Sequence, residues 1–165
     1  MRGRKARRRR EDALAAGMIA GVTALTAIGS RISSDYDSAW FRTLRKPRWE
    51  PSGALIEAVW AILYLCTALS ANLLWRKRET RDTRTLMGLF ALQYLLNYAF
   101  TPLLTLRRSL SLSTFDSGAL HLVVDAIVAL AWPVQRAAAL LMLPYSAWTL
   151  FTTLLSWRVW TLNRT

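Results

Sequence analysis

Five long apolar runs, separated by short polar segments, set the pattern of this chain. Each run reaches the roughly 17–25 residues that an α-helix needs to cross a bilayer. They cover approximately residues 13–30, 54–75, 85–105, 117–134 and 137–160. Charges inside them are few, and no alternation of apolar and polar residues competes with helix. Because irregular backbone cannot face lipid, the pattern predicts an all-α integral membrane protein, a bundle of five transmembrane helices.

Composition and charge agree with a membrane protein. The chain has 165 residues, enough for one domain, and 53% of them are hydrophobic, yet its formal net charge is +12. The charges are bunched between long uncharged runs, whereas a soluble basic protein spreads them along the sequence. Eight Trp and five Tyr residues fit this class because both side chains gather at membrane interfaces. The single cysteine, Cys66, excludes an intramolecular disulfide.

The first residues, MRGRKARRRRED, carry seven of the 22 basic side chains. Such a segment can bind nucleic acid through counterion release, or it can lie beside a span, orient it and contact anionic lipid. We favour the membrane role, which predicts a disordered basic tail at 1–12, a transmembrane domain at 13–165 and no nucleic-acid partner. The run from Ala13 also resembles a signal-peptide core with a loose cleavage site at Ala27-Ile28-Gly29. Its length exceeds the roughly 7–15 residues of such a core, which favours a retained span.

Basic residues on the two sides of the predicted bundle indicate its orientation. The tail, the 76–84 loop and Arg136 together hold 13 Lys and Arg residues. The 31–53 loop, the 106–116 link and the C-terminal end hold nine. The positive-inside rule therefore places the N-terminus inside, an inference that depends on the tail.

The first long loop, residues 31–53, contains WFRTLRKPRWEP, with more tryptophan and proline than a connection needs. Its pattern Trp-aromatic-x-x-Leu-x-Lys-Pro-x-Trp-x-Pro resembles the opening loop of the translocator protein family (TspO/MBR), also called tryptophan-rich sensory proteins or peripheral-type benzodiazepine receptors. Three further stretches resemble the family in the same order along the chain. They are AVWAILYL in the second span, YLLNYAFTPL in the third and LLMLPYSAWTLFTTLLSWRVWTLN in the fifth. The resemblance covers about residues 13–163.

The chain departs from the family pattern at several places. Glu57-Ala58 stands where the family usually has Gly-Pro, and Phe100 replaces the usual Trp of the third span. Leu155-Ser156 stands where many members have Leu-Asn. The link between the third and fourth spans is also a few residues longer than usual. These changes bear on ligand preference more than on the fold.

The resemblance implies a ligand pocket inside the bundle, with the 31–53 loop as its lid. The implied ligands are porphyrins, such as protoporphyrin IX and haem-like tetrapyrroles, and similar planar lipophilic molecules. The implied role is a receptor or carrier in tetrapyrrole sensing, transport or scavenging, with no required cofactor. The resemblance also favours a homodimer, and we expect a bacterial envelope membrane rather than a mitochondrial outer membrane. Membrane lipid is a further expected partner.

Two other functions stay open. Bacterial relatives degrade protoporphyrin IX in light, and the resemblance places the tryptophan pair implicated there on Trp60 and Trp157. These two are the only catalytic candidates, because no nucleophile–base pair or metal cluster in the sequence points to conventional catalysis. The third function is a stress-regulatory membrane scaffold that acts through partners.

The side chains that such a pocket would use have suitable helical spacing. Trp60 and Tyr64 share one face of the second span, and Asn97 lies in an aromatic and amide stripe of the third. Flat rings stack on a planar macrocycle, Asn97 can bond a ligand carbonyl, and Arg45 and Arg48 can attract propionates. The predicted ligand-binding residues are Phe41, Trp49, Trp60, Tyr64, Phe90, Tyr94, Asn97, Phe100, Tyr145, Thr153 and Trp157.

The alternative is that these rings only pack, because aromatic stripes at helical spacing usually form core. Tryptophan near a helix end also forms the interfacial belt. The ordered motifs favour ligand contact for Trp60, Asn97 and Trp157. We expect belt positions for Trp75, Trp132 and Trp160.

Two further residue pairs are not part of the predicted ligand pocket. His121 and Asp125 are four apart in the fourth span, and an acid inside a membrane is a functional hypothesis by default. The pair can relay a proton or bind a metal, but no third ligand of suitable spacing appears. We therefore predict no metal site and expect the two side chains to bond each other or a helix end.

Gly17 and Gly21 form a GxxxG pair in the first span, which serves either internal packing or a dimer.

Overall fold

The chain is helical throughout its ordered elements. A computed structural model describes residues 2–32, 38–77 and 81–164, and these residues form six α-helices without a strand. Four of the helices, α3 to α6, are long and apolar enough to cross a membrane. The helices are α1 (Arg2–Ile32), α2 (Ala39–Thr43), α3 (Gly53–Trp75), α4 (Arg81–Thr105), α5 (Leu110–Val134) and α6 (Arg136–Leu162).

Helices α3 to α6 correspond to the last four predicted spans. The largest difference is at α5, which begins at Leu110 rather than near residue 117. Its early start has a local cause, because the Ser109 hydroxyl accepts a hydrogen bond from the Leu112 N–H at 3.3 Å and caps the helix. The remaining predicted span, 13–30, lies in α1, which is not among the four helices identified as spans. The count of five transmembrane helices is therefore not confirmed.

The basic segment at the N-terminus is helical in the structure, where the sequence predicts disorder. Helix α1 begins at Arg2, so the backbone of residues 2–12 continues the helix of the apolar run. Arg and Ala are strong helix formers and no proline interrupts the segment, which explains the extension. At roughly 1.5 Å per residue, the 31 residues of α1 reach about 46 Å. This length exceeds the hydrocarbon core of a bilayer, about 30 Å.

The five long helices close into a ring. Helix α1 packs against α3 and α4, α4 packs against α5, α5 packs against α6, and α6 returns to α3. A smaller contact joins α3 and α4 across the ring. Polar groups on the inward faces of these helices therefore lie close enough to bond one another.

Small side chains hold α3, α5 and α6 together around the α5–α6 turn. Ala131, Ala138 and Ala139 have no exposed surface, and the Ser70 hydroxyl donates to the Ala138 carbonyl at 2.9 Å. The turn itself is one residue, Gln135, whose backbone is extended (φ −157°). Helices in lipid gain little from hydrophobic association, so close packing of small residues and interhelical hydrogen bonds hold this end.

Residues 38–52, here called the lid, fold upon themselves at the opposite end. The Ser38 hydroxyl caps α2 by accepting from the Phe41 N–H at 3.3 Å. After an extended stretch, the Glu50 N–H donates to the Pro47 carbonyl at 3.0 Å and closes a turn. The Lys46 ammonium lies 4.2 Å from the centre of the Phe41 ring and 3.3 Å from the Glu50 carboxylate. Of the predicted 31–53 loop, residues 31–32 are helical and 33–37 lie outside the described residues.

The GxxxG pair of α1 faces outward. Gly17 and Gly21 are exposed, and a methyl group added at either would meet no described atom within 4 Å outside its own helix. Internal helix packing is therefore the wrong interpretation of this motif, and a contact outside the single chain stays open.

Candidate functional site

A hydrogen-bonded network of tyrosines and amides joins α3, α4 and α6. The Tyr145 hydroxyl oxygen accepts from Gln93 Nε2 at 2.7 Å and from Asn97 Nδ2 at 2.8 Å. The Tyr64 hydroxyl donates to Asn97 Oδ1 at 2.6 Å. We call Tyr64, Gln93, Asn97 and Tyr145 the interior network. It gives the Asn97 amide and the Tyr64 and Tyr145 hydroxyls partners inside the bundle, where water is scarce.

The spacing of the network residues along α4 and α6 places them on the inward faces of these helices. Gln93 and Asn97 are one turn apart on α4 and therefore share a face. On α6, Ala138, Met142 and Tyr145 follow the three-and-four spacing of a single face, and none has exposed surface. The same spacing that packs small residues at one end of α6 thus places the Tyr145 ring in the middle of the bundle.

One acceptor of the network has no partner. Gln93 Oε1 is fully buried and accepts no hydrogen bond from the described residues. Turning the Gln93 amide over would let Oε1 accept from the Tyr145 hydroxyl, but an N–H group would then lose its acceptor. The network is therefore one hydrogen bond short in either orientation. A polar atom brought beside Gln93 would complete it.

Trp60 packs against the network from α3. Its ring centre lies 5.7 Å from that of Tyr64 and 5.8 Å from that of Tyr145, and the second contact is edge-on at 85°. Unlike Tyr145, Trp60 keeps part of its surface exposed. Among the predicted site residues, the structure thus brings together Trp60, Tyr64, Asn97 and Tyr145.

Two other predicted site residues connect neighbouring helices. The Tyr94 hydroxyl lies 2.7 Å from the Thr23 hydroxyl and joins α4 to α1. The Thr153 hydroxyl lies 3.1 Å from the Ser117 hydroxyl and joins α6 to α5. Both contacts place polar partners inside the ring of helices and help to fix its order.

The predicted lid residues differ in their surroundings. The Trp49 ring lies 5.6 Å from that of Phe151 on α6, and Phe151 in turn lies 5.1 Å from Trp148. Trp49 is nevertheless 49% exposed. Phe41 lies under the Lys46 ammonium and takes part in the internal folding of the lid.

The remaining predicted site residues do not join the network. Phe90 is 3% exposed and belongs to the apolar core, and Phe100 is partly buried. Trp157 is 52% exposed, and its ring contacts no other aromatic ring of the described residues. Among the described rings, Trp60 contacts Tyr64 and Tyr145 and not Trp157, so the common site that the sequence predicts for the two tryptophans stays a prediction.

His121 and Asp125 bond each other, as their spacing indicates. His121 Nε2 lies 3.5 Å from Asp125 Oδ2, and His121 Nδ1 lies 3.2 Å from the Thr149 hydroxyl. The Ser146 hydroxyl donates to the other carboxylate oxygen of Asp125. In the described part of the chain, no three His, Cys, Asp or Glu side chains come together. The pair links α5 to α6, and Thr149, which bonds His121, also donates to the backbone carbonyl of Tyr145 at 3.0 Å.

The prediction from sequence omitted three residues of this region from the site. Gln93 had a usable signal, because it is an amide one turn before Asn97 in an otherwise apolar span. Thr23 and Phe151 had none, because their roles depend on which helix or lid segment lies beside them. Local sequence does not contain that information.

Fold and site together define a multi-pass helical membrane protein with an aromatic and amide interior beneath a lid. The sequence pattern of the TspO/MBR family matches residues 15–161, and the chain belongs to that family. The chain is 33% identical to the translocator protein of Homo sapiens over 138 residues, which cover 81% of this chain and 80% of the relative. It is 30% identical to the tryptophan-rich protein TspO of Bacillus cereus over 127 residues, covering 77% and 82%. The family resemblance of the four motifs is thereby confirmed.

Removal of the central hydroxyl tests the interior network. Tyr145→Phe leaves the Gln93 and Asn97 N–H groups without their acceptor, and we expect a loss of about 0.6–1.7 kcal/mol in the free energy of unfolding. The matched control is Tyr98→Phe, at an exposed position of α4, with a change within about 0.5 kcal/mol. Unfolding by sodium dodecyl sulfate in mixed micelles measures both. Equal losses in the two variants would contradict the network's role.

Proposed function

We propose that this protein is a membrane receptor or carrier that binds porphyrins and similar planar lipophilic ligands beside the interior network. One observation carries the proposal: the partly exposed Trp60 ring lies against Tyr64 and Tyr145, next to the unpaired acceptor of Gln93. A flat aromatic surface with a few convergent polar groups is the usual form of a small-molecule site. The ring would stack on a planar ligand, and the amides would fix its orientation.

We infer that a ligand enters from the lid end. Surface depressions lined by residues 132–137 and by Arg10 to Met18 lie away from the network, and neither offers a path to Trp60. Tyr145 itself is fully buried. A ligand that enters from the lid end would first meet the lid and the Trp49–Phe151 ring pair.

The charge of the lid end favours ligands that carry carboxylates. Within the lid, residues 38–52, the acid Glu50 is already paired with Lys46. Basic side chains with exposed surface at this end are Arg42, Arg45, Arg48, Arg107, Arg108, Arg158 and Arg164. Guanidinium groups bind carboxylates strongly, and a concentration of one charge attracts the opposite charge from a distance. Porphyrin propionates would meet this surface while the macrocycle remains in the apolar interior.

The proposal includes α1 as a fifth membrane span. Helix α1 closes the ring between α3 and α4, and Thr23 bonds Tyr94 inside it. A helix in this position covers one side of the interior and extends beyond it at the basic N-terminal end.

Labelling of single cysteines in sealed vesicles tests this topology. In a Cys66→Ser background, Arg10→Cys and Ser38→Cys would flank the apolar run 13–30 of α1, and we expect an impermeant maleimide to reach them from opposite sides of the membrane. The Lys77→Cys variant, beyond the end of α3, serves as the control and should label from the same side as residue 10. Labelling of residues 10 and 38 from one side would exclude α1 as a span.

Titration with protoporphyrin IX, followed by tryptophan quenching in purified protein, tests the ligand site. We expect saturable binding that weakens about tenfold in Trp60→Ala, because the variant loses the stacking surface and its contacts with two tyrosines. Trp132→Ala removes an exposed ring at the opposite end and should leave the affinity unchanged. An unaltered affinity in Trp60→Ala would show that the ligand does not use this site.

A second candidate function is light-driven oxidation of a bound porphyrin, with dioxygen as the oxidant. It is favoured by the contact of Trp60 with two tyrosines, which are side chains that can reduce an oxidised indole. Among the described rings, Trp60 has such tyrosine contacts and Trp157 has none, which favours Trp60 as the residue that acts.

Illumination of the protoporphyrin complex in air tests the second function. We expect a defined product whose rate falls about tenfold in Trp60→Phe and much less in Trp157→Phe, since a tenfold change in rate needs only about 1.4 kcal/mol. Free porphyrin in the same detergent is the control. Formation of the same product at the same rate without protein would eliminate this function.

The homodimer and the stress-regulatory role stay predictions.

A further inference from the structure

Asn163, the residue that follows α6, holds the lid by its backbone. Its Oδ1 accepts from the Arg45 N–H at 3.0 Å, and its Nδ2 donates to the Arg45 carbonyl at 2.9 Å. The side-chain amide thus pairs with both backbone polar groups of one residue, as a neighbouring β-strand does. The same Nδ2 donates to the Val159 carbonyl at 2.8 Å, which ties the amide to the last turn of α6.

Hydrogen bonds to the Arg45 backbone restrain the lid at a central position. Arg45 lies between α2 and Pro47. The next residue, Lys46, directly precedes Pro47, and a residue before a proline is confined to extended backbone. Lys46 then connects both halves of the lid, through the Phe41 ring on one side and the Glu50 carboxylate on the other. These contacts join the two halves of the lid, so a restraint on Arg45 acts on both.

A pair of rings and a cation–ring contact also attach the lid to described residues, and both are of a different kind. Trp49 meets the Phe151 ring, and the Arg108 guanidinium lies 5.9 Å from the centre of the Trp40 ring. Arg108 has a positive φ of 50°, which is uncommon for a residue other than glycine. Contacts of partly exposed rings tolerate sliding, whereas a pair of hydrogen bonds requires one geometry.

We infer that Asn163 is the latch of the lid and sets how often the lid leaves the end of the bundle. Because its partners are backbone atoms of residue 45, the latch is independent of the arginine side chain. It also lies outside the interior network, so it acts on access to the site and not on contacts with a ligand. The consequence for ligand exchange rests on the proposed function, whereas the consequence for lid opening does not.

Hydrogen exchange of the lid amides measures the latch without any ligand. In lipid nanodiscs, followed by mass spectrometry, Asn163→Leu should raise exchange at the Arg45 amide about tenfold, the effect of losing two ordinary hydrogen bonds. Asn163→Asp keeps the acceptor for the Arg45 N–H but loses the donor, so a smaller rise is expected. Arg45→Ala keeps both backbone groups and should change lid exchange by less than about twofold.

Peptides from residues 146–158 report on α6 in the same experiment. Their unchanged exchange shows that Asn163→Leu leaves the helix intact below its last turn. Exchange at Arg45 that is the same in Asn163→Leu and the unmodified protein would overturn the latch. A rise spread over all of α6 would also overturn it, because Asn163 would then only cap the helix.

Protoporphyrin IX kinetics test the consequence for the site. The latch bonds do not involve the ligand, so their loss in Asn163→Leu should speed association and dissociation together, each by about tenfold. The dissociation constant should change by less than about threefold. Damage to the site would instead change the affinity.

Lid opening and ligand access are decided by different measurements. Faster exchange at Arg45 with unchanged porphyrin rates would retain the latch and overturn its role in ligand access. If the unmodified protein binds no porphyrin, the proposed function fails together with that role, and the exchange result still decides whether Asn163 holds the lid.

Discussion

The phenolic oxygen of Tyr145 is the point on which the interior of this protein depends. It accepts hydrogen bonds from two amides of α4, and one of these amides accepts from Tyr64 of α3, so that three helices meet at one ring of α6. A membrane interior supplies no water to replace such bonds, so the rotation of each helix about its axis is constrained by them. The position of Trp60 against Tyr64 and Tyr145 follows from this arrangement, and with it the aromatic surface that a planar ligand would meet.

The two ends of the bundle are held by different means. Around the α5–α6 turn, alanines without exposed surface and the Ser70–Ala138 bond allow close helix packing. At the lid end the interior is more polar and aromatic, and the lid is attached by rings, a guanidinium and the Asn163 amide. A tightly packed end fixes the helices, while an end closed by a separate segment can open without disturbing them. This division of roles suits a protein whose site lies inside a bundle.

Sequence and structure agree best where the information is local. Helices α3 to α6 lie where apolar runs of spanning length occur, and the capping serine of α5 explains why that helix begins early. The bond between His121 and Asp125 was also predictable, because residues four apart on a helix share a face. The basic segment before residue 13 was assigned to disorder from its charge, whereas its helix formers continue α1 to Arg2. Gln93 was recognisable as an amide in an apolar span, but not as the member of the network with an unpaired acceptor.

By itself the sequence determined the class of protein, the positions of α3 to α6 and the family, because hydropathy, capping and ordered motifs are properties of short stretches of chain. Only the tertiary structure decided which helices adjoin, and therefore that Tyr145 rather than Trp157 accompanies Trp60, and that Asn163 meets Arg45 across 118 positions of sequence. The physical reason is that all apolar faces of a helix have similar free energies in contact with lipid tails. The order and rotation of the helices are then fixed by a few polar and small side chains, whose partners lie far away along the chain.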